Sequence, residues 1–173
     1  MGHVPVIDIG PWWSGSASDR AAVVAAVDDA LSSVGFMLIT GHGVPRDVAA
    51  QVRSQARAFF ALPEELKQAY AVTIAGRGWL PPGVEANAYS EGTQTPPDLK
   101  ETFAVGADDK TGDAEVDGYW FPDNVWPHEV AELRAVVEDY LVRMRVLADE
   151  LLRICGAALG DEDLFTRHTG HST

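Results

Sequence analysis

Two histidines near the end of the chain have a spacing that could hold a metal ion. His168 and His171 are three residues apart, so a helix would place both imidazoles on one side. Gly170 lies between them and disfavours a helix, and no third ligand accompanies them. The pattern therefore predicts a polar loop or the start of a strand, and a metal site built on His168 and His171 stays the weaker alternative.

His42 lies between two glycines and could also be interpreted as a ligand. It follows a short apolar run over residues 36–40, which predicts a buried strand, and precedes Pro45, which opens the next predicted helix. A histidine in a turn between a strand and a helix is more often a hydrogen-bonded structural residue than a catalytic one. We therefore expect His42 to be structural.

The best candidates for contact with a small molecule lie in a long polar segment over residues 76–99. This segment is rich in glycine, proline, asparagine, serine and threonine, a composition typical of a loop. Arg77, Trp79 and Tyr89 are its candidates for a substrate pocket, because cationic and aromatic side chains on loops commonly contact ligands. Packing within the protein is the alternative for all three, and the sequence favours it.

Two groups of charged residues have simpler interpretations. Lys100 and Glu101 are expected to form a surface or interface ion pair, and lining the mouth of a substrate site is the weaker alternative. The acidic run over residues 113–118 resembles the start of a calcium-binding loop, but Asn124 stands at the twelfth position, where such a loop requires a bidentate glutamate. We therefore expect a surface turn there.

The hydrophobic pattern predicts helices and short strands around these residues. Apolar residues recur at intervals of three and four in the helices, and Gly35 and Gly160 are the expected ends of the first and the last. The predicted helices begin at Ser18, near Pro45 and after Pro127. The predicted strands cover residues 4–9, 36–40 and 101–105.

The composition is that of one globular domain, with 46% hydrophobic and 23% charged residues in a chain of 173. A formal charge of −13 argues against binding to nucleic acid or to an anionic membrane, because the summed field repels polyanions. The sequence shows neither a signal peptide nor a membrane-spanning apolar run. A single cysteine, Cys155, suits a buried thiol in a reducing compartment, so a cytoplasmic location is expected.

Several segments, taken in order, resemble the N-terminal half of a known enzyme family. It is the isopenicillin N synthase-like family of non-haem iron(II), 2-oxoglutarate-dependent dioxygenases, and the matches span roughly residues 4–165. Trp79 departs from the family pattern, which more often has tyrosine. The matching segments are Val4-Pro5-Val6-Ile7-Asp8, Gly35-Phe36 through His42-Gly43-Val44, Phe59-Phe60-Ala61-Leu62-Pro63-x-Glu65-x-Lys67, Gly78-Trp79-Leu80-Pro81, Asp98-Leu99-Lys100-Glu101-x-Phe103 and Asn124-x-Trp126-Pro127.

The resemblance implies an α+β fold, the helical and strand scaffold that precedes a double-stranded β-helix (jelly-roll) oxygenase barrel. Residues 1–165 would form the N-terminal domain of the non-haem dioxygenase, and residues 166–173 would begin the truncated catalytic barrel. The intact enzyme would bind Fe(II) and use 2-oxoglutarate and O2 to hydroxylate, desaturate or cyclise a small organic substrate.

The residues that would perform this reaction are missing from the sequence. The iron site of the family is written His-x-Asp/Glu with a distant second histidine, and none of the five histidines has an acidic residue two positions later. The Arg-x-Ser that would hold the far carboxylate of 2-oxoglutarate is also absent. A jelly-roll barrel needs about eight strands, and the sequence predicts about three. Most of the barrel is therefore expected to be missing. We therefore expect this chain alone to be inactive and to hold no cofactor.

Two functions of other classes remain open. The chain could be a non-catalytic binding module that retains the scaffold and covers its exposed barrel-docking face with a partner or a second copy of itself. It could also be a small metal protein that uses His168 and His171. The first alternative predicts an apolar surface patch, and the second predicts metal binding that is lost when both histidines are replaced by alanine.

Overall fold

The computed structural model describes residues 3–73, 76–85, 96–108 and 110–168. It divides into two compact units, the first from residues 1–48 and 139–172 and the second from residues 49–138. Helices and short strands are both present, which confirms the predicted α+β content. The helices are α1 (Gly10–Ser14), α2 (Ala17–Ser33), α3 (Arg46–Phe60), α4 (Glu64–Lys67), α5 (Ala114–Trp120) and α6 (Leu133–Ala158). The strands are β1 (Val6–Asp8), β2 (Leu38–Thr40), β3 (Trp79–Leu80) and β4 (Thr102–Phe103).

The first unit is built on a parallel pair of strands, β1 and β2. Val6 lies opposite Leu38 and Ile7 lies opposite Ile39. Because side chains alternate along a strand, Ile7 and Ile39 face the core while Val6 and Leu38 face away from it. The core of this unit consists of Ile7, Ile9, Trp12, Val23, Val27, Ala30, Leu147 and Ile154.

The second strand is shorter and more exposed than the sequence predicted. Phe36 lies outside β2 and is 73% exposed, and Leu38 is 59% exposed. The expectation of a buried strand over residues 36–40 was wrong, since only one face of β2 packs on the core. Gly35, with φ at 78°, ends the preceding helix as predicted.

The segment between β1 and α2 contains a helix that the sequence pattern did not predict. Pro11 lies in the first turn of α1, a position where its missing N–H is not needed, and Trp12 points into the core. The start of α2 was also placed two residues late. Ser16, rather than Ser18, caps this helix in a reciprocal capping box with Asp19.

The second unit packs around the C-terminal end of α3. Phe59 is fully buried and makes edge-to-face contacts with Tyr70 and Phe103. The two-residue strands β3 and β4 pair antiparallel, with Trp79 opposite Phe103. The strand predicted over residues 101–105 is therefore present but only two residues long.

The acidic run over residues 113–118 forms the start of α5 and not a surface turn. The Asp113 carboxylate caps the helix by accepting from the backbone N–H groups of Glu115 and Val116. Asp117 accepts from the backbone N–H and hydroxyl of Thr111. These bonds hold the carboxylates within the fold, which accounts for the acidic spacing without a calcium ion.

The long helix α6 extends over 26 residues and ends before Gly160, whose φ of 86° confirms the predicted stop. Buried positions along it include Leu133, Val137, Leu147 and Ile154, as expected for a core helix. Within the part of the chain that the structure describes, no helix is long and apolar enough to cross a membrane.

Candidate functional site

A buried lysine organises the polar interior of the second unit. Lys67 is 7% exposed, and its Nζ donates to Glu101 Oε2 at 2.7 Å. The same carboxylate oxygen accepts from Trp79 Nε1 at 2.7 Å, and Lys67 Nζ lies 5.2 Å from the centre of the Trp79 ring. We call these three side chains the Lys67 cluster. A counter-ion and an aromatic face together compensate the buried ammonium group.

Three elements bring the Lys67 cluster together. Pro63 and two glutamates start α4, so Lys67 falls in the last turn, where the helix dipole favours a cation. Trp79 lies in β3 and pairs with Phe103 of β4. Residues two apart along a strand share a face, so Glu101 lies on the same side of this small sheet as Trp79.

The predicted pair between Lys100 and Glu101 was wrong. Lys100 Nζ lies 3.0 Å from Glu85 Oε2 and 3.9 Å from Asp98 Oδ2, whereas Glu101 pairs with Lys67. Neighbouring residues at the start of a strand point to opposite sides, which separates the two charges. The hydrogen bond to Glu85, with the attraction of its carboxylate, raises the pKa of Lys100 above its ordinary value.

Arg77 is buried and holds a neighbouring loop. Its Nη1 donates to the carbonyl oxygen of Ala107 at 2.6 Å and lies 3.9 Å from Asp108 Oδ1. The guanidinium group packs on Gly106, where a Cβ atom would lie 2.6 Å from Arg77 Nε. Asn124 makes two hydrogen bonds with the backbone of Gly106 in this loop. Its Oδ1 accepts from the Gly106 N–H, and its Nδ2 donates to the Gly106 carbonyl oxygen. The described contacts of Arg77 are therefore structural.

A second buried polar group surrounds Tyr70. Its hydroxyl donates to Glu129 Oε2 at 2.7 Å and accepts from the backbone N–H of His128 at 3.0 Å. The hydrogen bond from Tyr70 lowers the pKa of the Glu129 carboxyl below its usual value. This arrangement ties the 3₁₀ turn at residues 68–70 to the segment that precedes α6.

The structure describes two of the three predicted pocket residues. Arg77 is 7% exposed and Trp79 is 1% exposed, and Trp79 lies in a strand instead of the predicted loop. Tyr89 lies outside the described residues. Contact of any of the three with a substrate stays a prediction. The sequence pattern did not predict a central role for Lys67, because a lysine among glutamates on a short helix is usually solvated.

His42 has the structural hydrogen bond expected of it. Its Nδ1 accepts from the backbone N–H of Val44 at 3.2 Å, which closes the turn between β2 and α3. Cys155, the single cysteine, packs against the core of the first unit. Burial raises the pKa of its thiol, which favours the unreactive protonated form.

The described residues do not provide an iron site. Within residues 3–73, 76–85, 96–108 and 110–168, no group of three or more His, Cys, Asp or Glu side chains could hold a metal ion. His168 ends a 3₁₀ turn over Thr166–His168, and His171 lies outside the described residues. The metal alternative built on these two histidines therefore stays a prediction.

The sequence matches one family model over residues 4–129, described as "non-haem dioxygenase in morphine synthesis N-terminal". The match covers most of the chain, including β1, β2 and the whole Lys67 cluster. This chain belongs to that family. It therefore carries the N-terminal domain of the 2-oxoglutarate/iron(II) oxygenases, as the sequence resemblance implied.

Curated relatives match this dioxygenase N-terminal domain over almost its whole length. It is 36% identical to validamycin A dioxygenase of Streptomyces hygroscopicus subsp. limoneus over 174 residues, which cover 99% of this chain and 48% of that protein. It is 32% identical to a 2-oxoglutarate-dependent dioxygenase of Didymella fabae, covering 98% of this chain and 53% of that protein. The chain thus spans about half the length of the curated relatives it matches.

Solved structures resemble the dioxygenase N-terminal domain in fold. A putative 2OG-Fe(II) oxygenase family protein from Caulobacter crescentus has a TM-score of 0.77 at 24% identity, covering 96% of this chain and 52% of that chain. A full-length Neurospora crassa protein, solved in complex with alpha-KG, has a TM-score of 0.74 at 23% identity, covering 94% of this chain and 49% of that chain. In both cases the similarity again extends over about half of the other protein.

Proposed function

We propose that this chain is the N-terminal half of an Fe(II)- and 2-oxoglutarate-dependent oxygenase that hydroxylates, desaturates or cyclises a small organic substrate with O2. The family match and the names of the curated relatives support the reaction class. The coverage of about half of each relative supports the assignment to an N-terminal half. Residues 1–165 would form the N-terminal domain and residues 166–173 the start of the catalytic barrel.

The exposed face of the β1–β2 pair is the observation that best supports this assignment. Val6 and Leu38 lie opposite each other on this face and are 57% and 59% exposed, and Phe36 beside them is 73% exposed. Parallel strands are almost always covered on both faces, and a two-stranded sheet is marginal in water. A further sheet packed on this face, which we call the docking face, would remove the apolar side chains from solvent.

The chain's own contribution to the reaction would be scaffolding. The sequence contains neither His-x-Asp/Glu nor Arg-x-Ser, so we expect this half alone to bind neither Fe(II) nor 2-oxoglutarate and to be inactive. Arg77 and Trp79 are too buried to present much surface to a substrate. They would instead shape the wall behind the pocket, with Tyr89 as the remaining candidate for direct contact.

The decisive experiment compares this chain with the longer protein that would be encoded if the reading frame continues past Thr173. We expect the sequence after Thr173 to contain His-x-Asp, a second histidine and Arg-x-Ser. The longer protein should convert 2-oxoglutarate to succinate in the presence of Fe(II), whereas this chain should not. Turnover by the 173-residue chain, or Fe(II) binding by it in the low-micromolar range, would contradict the proposal.

A non-catalytic binding module is the second candidate, and the same docking face favours it. In that case a partner or a second copy of the chain would cover Val6, Phe36 and Leu38. The two candidates differ in the reading frame, which would end near Thr173 for a binding module. The single cysteine and the charge of −13 support a cytoplasmic location without nucleic-acid or membrane partners for either candidate.

A further inference from the structure

The first unit contains a cleft that has no part in the Lys67 cluster or the docking face. It opens between α1, the turn after β2 and α6, and its volume is about 360 Å³. Its lining includes the apolar side chains of Trp13, Val142, Val146 and Leu147. Trp13 is 43% exposed and Val146 is 53% exposed, so the cleft presents apolar surface to solvent. Its size and lining are those of a site for a small molecule.

His42 also lines this cleft, and its imidazole offers a hydrogen-bond donor. Its Nδ1 accepts from the backbone N–H of Val44, so the neutral imidazole carries its proton on Nε2. Among the described residues, Nε2 has no hydrogen-bond partner of its own. The turn that makes His42 structural therefore also fixes which nitrogen is free to bind a ligand.

Arg143 supplies a cation at the same cleft. Its Nε donates to Asp139 Oδ2 at 2.8 Å, and within the described part of the chain its Nη groups make no hydrogen bond. Asp139 raises the pKa of the guanidinium group, with a smaller contribution from Asp47, so Arg143 stays charged. A guanidinium group has N–H donors along two edges. An ion pair with a carboxylate on one edge leaves the donors of the other edge available to an anion.

We propose that this cleft binds a small monocarboxylate with an apolar body. The body would lie between Trp13 and Val146, and the carboxylate would accept from His42 Nε2–H and an Arg143 Nη group. Charge-assisted hydrogen bonds from arginine favour a carboxylate over a neutral acceptor. The net charge of −13 disfavours a dianion such as a phosphate ester, and the apolar walls disfavour a small hydrophilic anion.

The test is an NMR titration of the ¹⁵N-labelled full chain with 3-phenylpropionate, with 3-phenylpropanamide as the neutral probe of the same shape. The variant Trp13→Phe identifies the Trp13 indole resonance. We expect that resonance to shift with saturation on adding the carboxylate, and the amide to bind about tenfold more weakly or less. Absence of saturable binding would overturn the proposal. Equal binding of the two probes would also overturn it and indicate a purely apolar groove.

Two variants locate the carboxylate. Arg143→Gln and His42→Asn should each weaken binding of 3-phenylpropionate several-fold, while leaving the affinity for the amide almost unchanged. An asparagine at position 42 can still accept from the Val44 N–H and so preserve the turn. Arg134→Gln is the matched control, since Arg134 makes the same kind of i,i+4 pair on α6 but does not line the cleft. If Arg134→Gln weakened binding as much as Arg143→Gln, this result would contradict the contact assigned between the carboxylate and Arg143.

Discussion

Lys67 is the residue whose chemistry depends most on the fold. Its ammonium group is compensated inside the second unit by the Glu101 carboxylate 2.7 Å away and by the face of the Trp79 ring. Glu101 in turn fixes the Trp79 ring through the indole N–H. Loss of one member of such a group leaves the others without partners in a place that water reaches poorly.

Replacing Glu101 by alanine is expected to lower the free energy of unfolding by about 2 kcal/mol, because Lys67 loses its counter-ion and Trp79 Nε1 loses its hydrogen-bond acceptor. The variant Glu101→Gln should lose less of the free energy of unfolding, because the glutamine amide oxygen can still accept the hydrogen bond from Trp79 Nε1. Urea unfolding measures both changes. Lys100→Ala is the control, since that neighbouring side chain is 51% exposed, and a loss there equal to that of Glu101→Ala would contradict the buried pair.

Glu129 makes the stability of the second unit sensitive to acid. The hydroxyl of Tyr70 lowers the pKa of Glu129 below the ordinary value of 4.5. A carboxyl with a lowered pKa in the folded state stabilises the protein fully above its ordinary pKa, and this stabilisation is lost as the pH falls through the lowered value. Urea unfolding at several pH values between about 6 and about 3 should therefore show the free energy of unfolding of the unmodified chain falling as the pH is lowered.

The variant Tyr70→Phe should reduce that acid dependence, because Glu129 then loses the hydrogen bond that favours its ionised form. Tyr119→Phe is the matched control, since Tyr119 is 70% exposed and makes no contact with Glu129. An unchanged slope in Tyr70→Phe would show that other carboxylates dominate. Asp161, whose pKa is lowered by its hydrogen bond from Arg167, would then be the next to replace.

At the scale of elements, the turn after β2 explains why two glycines flank His42. Gly41 and Gly43 have φ values of 65° and 74°, which residues with a Cβ atom rarely adopt. Their surroundings differ, however. A Cβ atom on Gly41 would collide with the Asp8 carboxylate and lie 2.7 Å from Gly10 N, whereas a Cβ atom on Gly43 would meet no atom within 4 Å.

Gly41→Ala should therefore destabilise the first unit more than Gly43→Ala does. We expect about 1 kcal/mol for Gly43→Ala from backbone strain alone, and about 3 kcal/mol for Gly41→Ala because it also displaces Asp8 from its hydrogen bond to Gly10 N. Thermal and urea unfolding of the two variants provide the measurement. Equal losses would mean that the contact between β1 and the turn contributes little.

For the whole molecule, the main feature is an apolar docking face in an otherwise acidic protein. The charge of −13 favours repulsion between separate chains, whereas Val6, Phe36 and Leu38 present apolar surface that favours association. Salt weakens the repulsion between like charges but does not weaken apolar contact. Measuring the association of the chain at several salt concentrations therefore shows which of the two effects is larger.

The chain alone is expected to self-associate as salt is raised, and Phe36→Lys combined with Leu38→Lys should return it to a monomer. Light scattering after size-exclusion chromatography measures the mass. Leu99→Lys is the control, because Leu99 is 98% exposed but does not belong to the docking face. A compact monomer at every salt concentration would argue against both a missing covering sheet and a self-associating binding module.

Local patterns were sufficient for much of the fold. The stops at Gly35 and Gly160 follow from the preference of glycine for positive φ, and the apolar stripe of α6 follows from helical periodicity. The order of short segments such as Val4-Pro5-Val6-Ile7-Asp8 was enough to identify the family. These features depend on neighbours a few residues apart, which a sequence displays directly.

Local patterns did not predict which charged residues pair with each other or which apolar residues are exposed. Glu101 binds Lys67, which lies 34 residues earlier, and not the adjacent Lys100, because strand alternation and the approach of α4 choose the partner. The apolar run predicts that Phe36 and Leu38 are core residues, yet one face of β2 is open to solvent. The sequence alone thus establishes the family and the main helices, whereas the packing of distant elements establishes which polar groups are buried together and which apolar face is left uncovered.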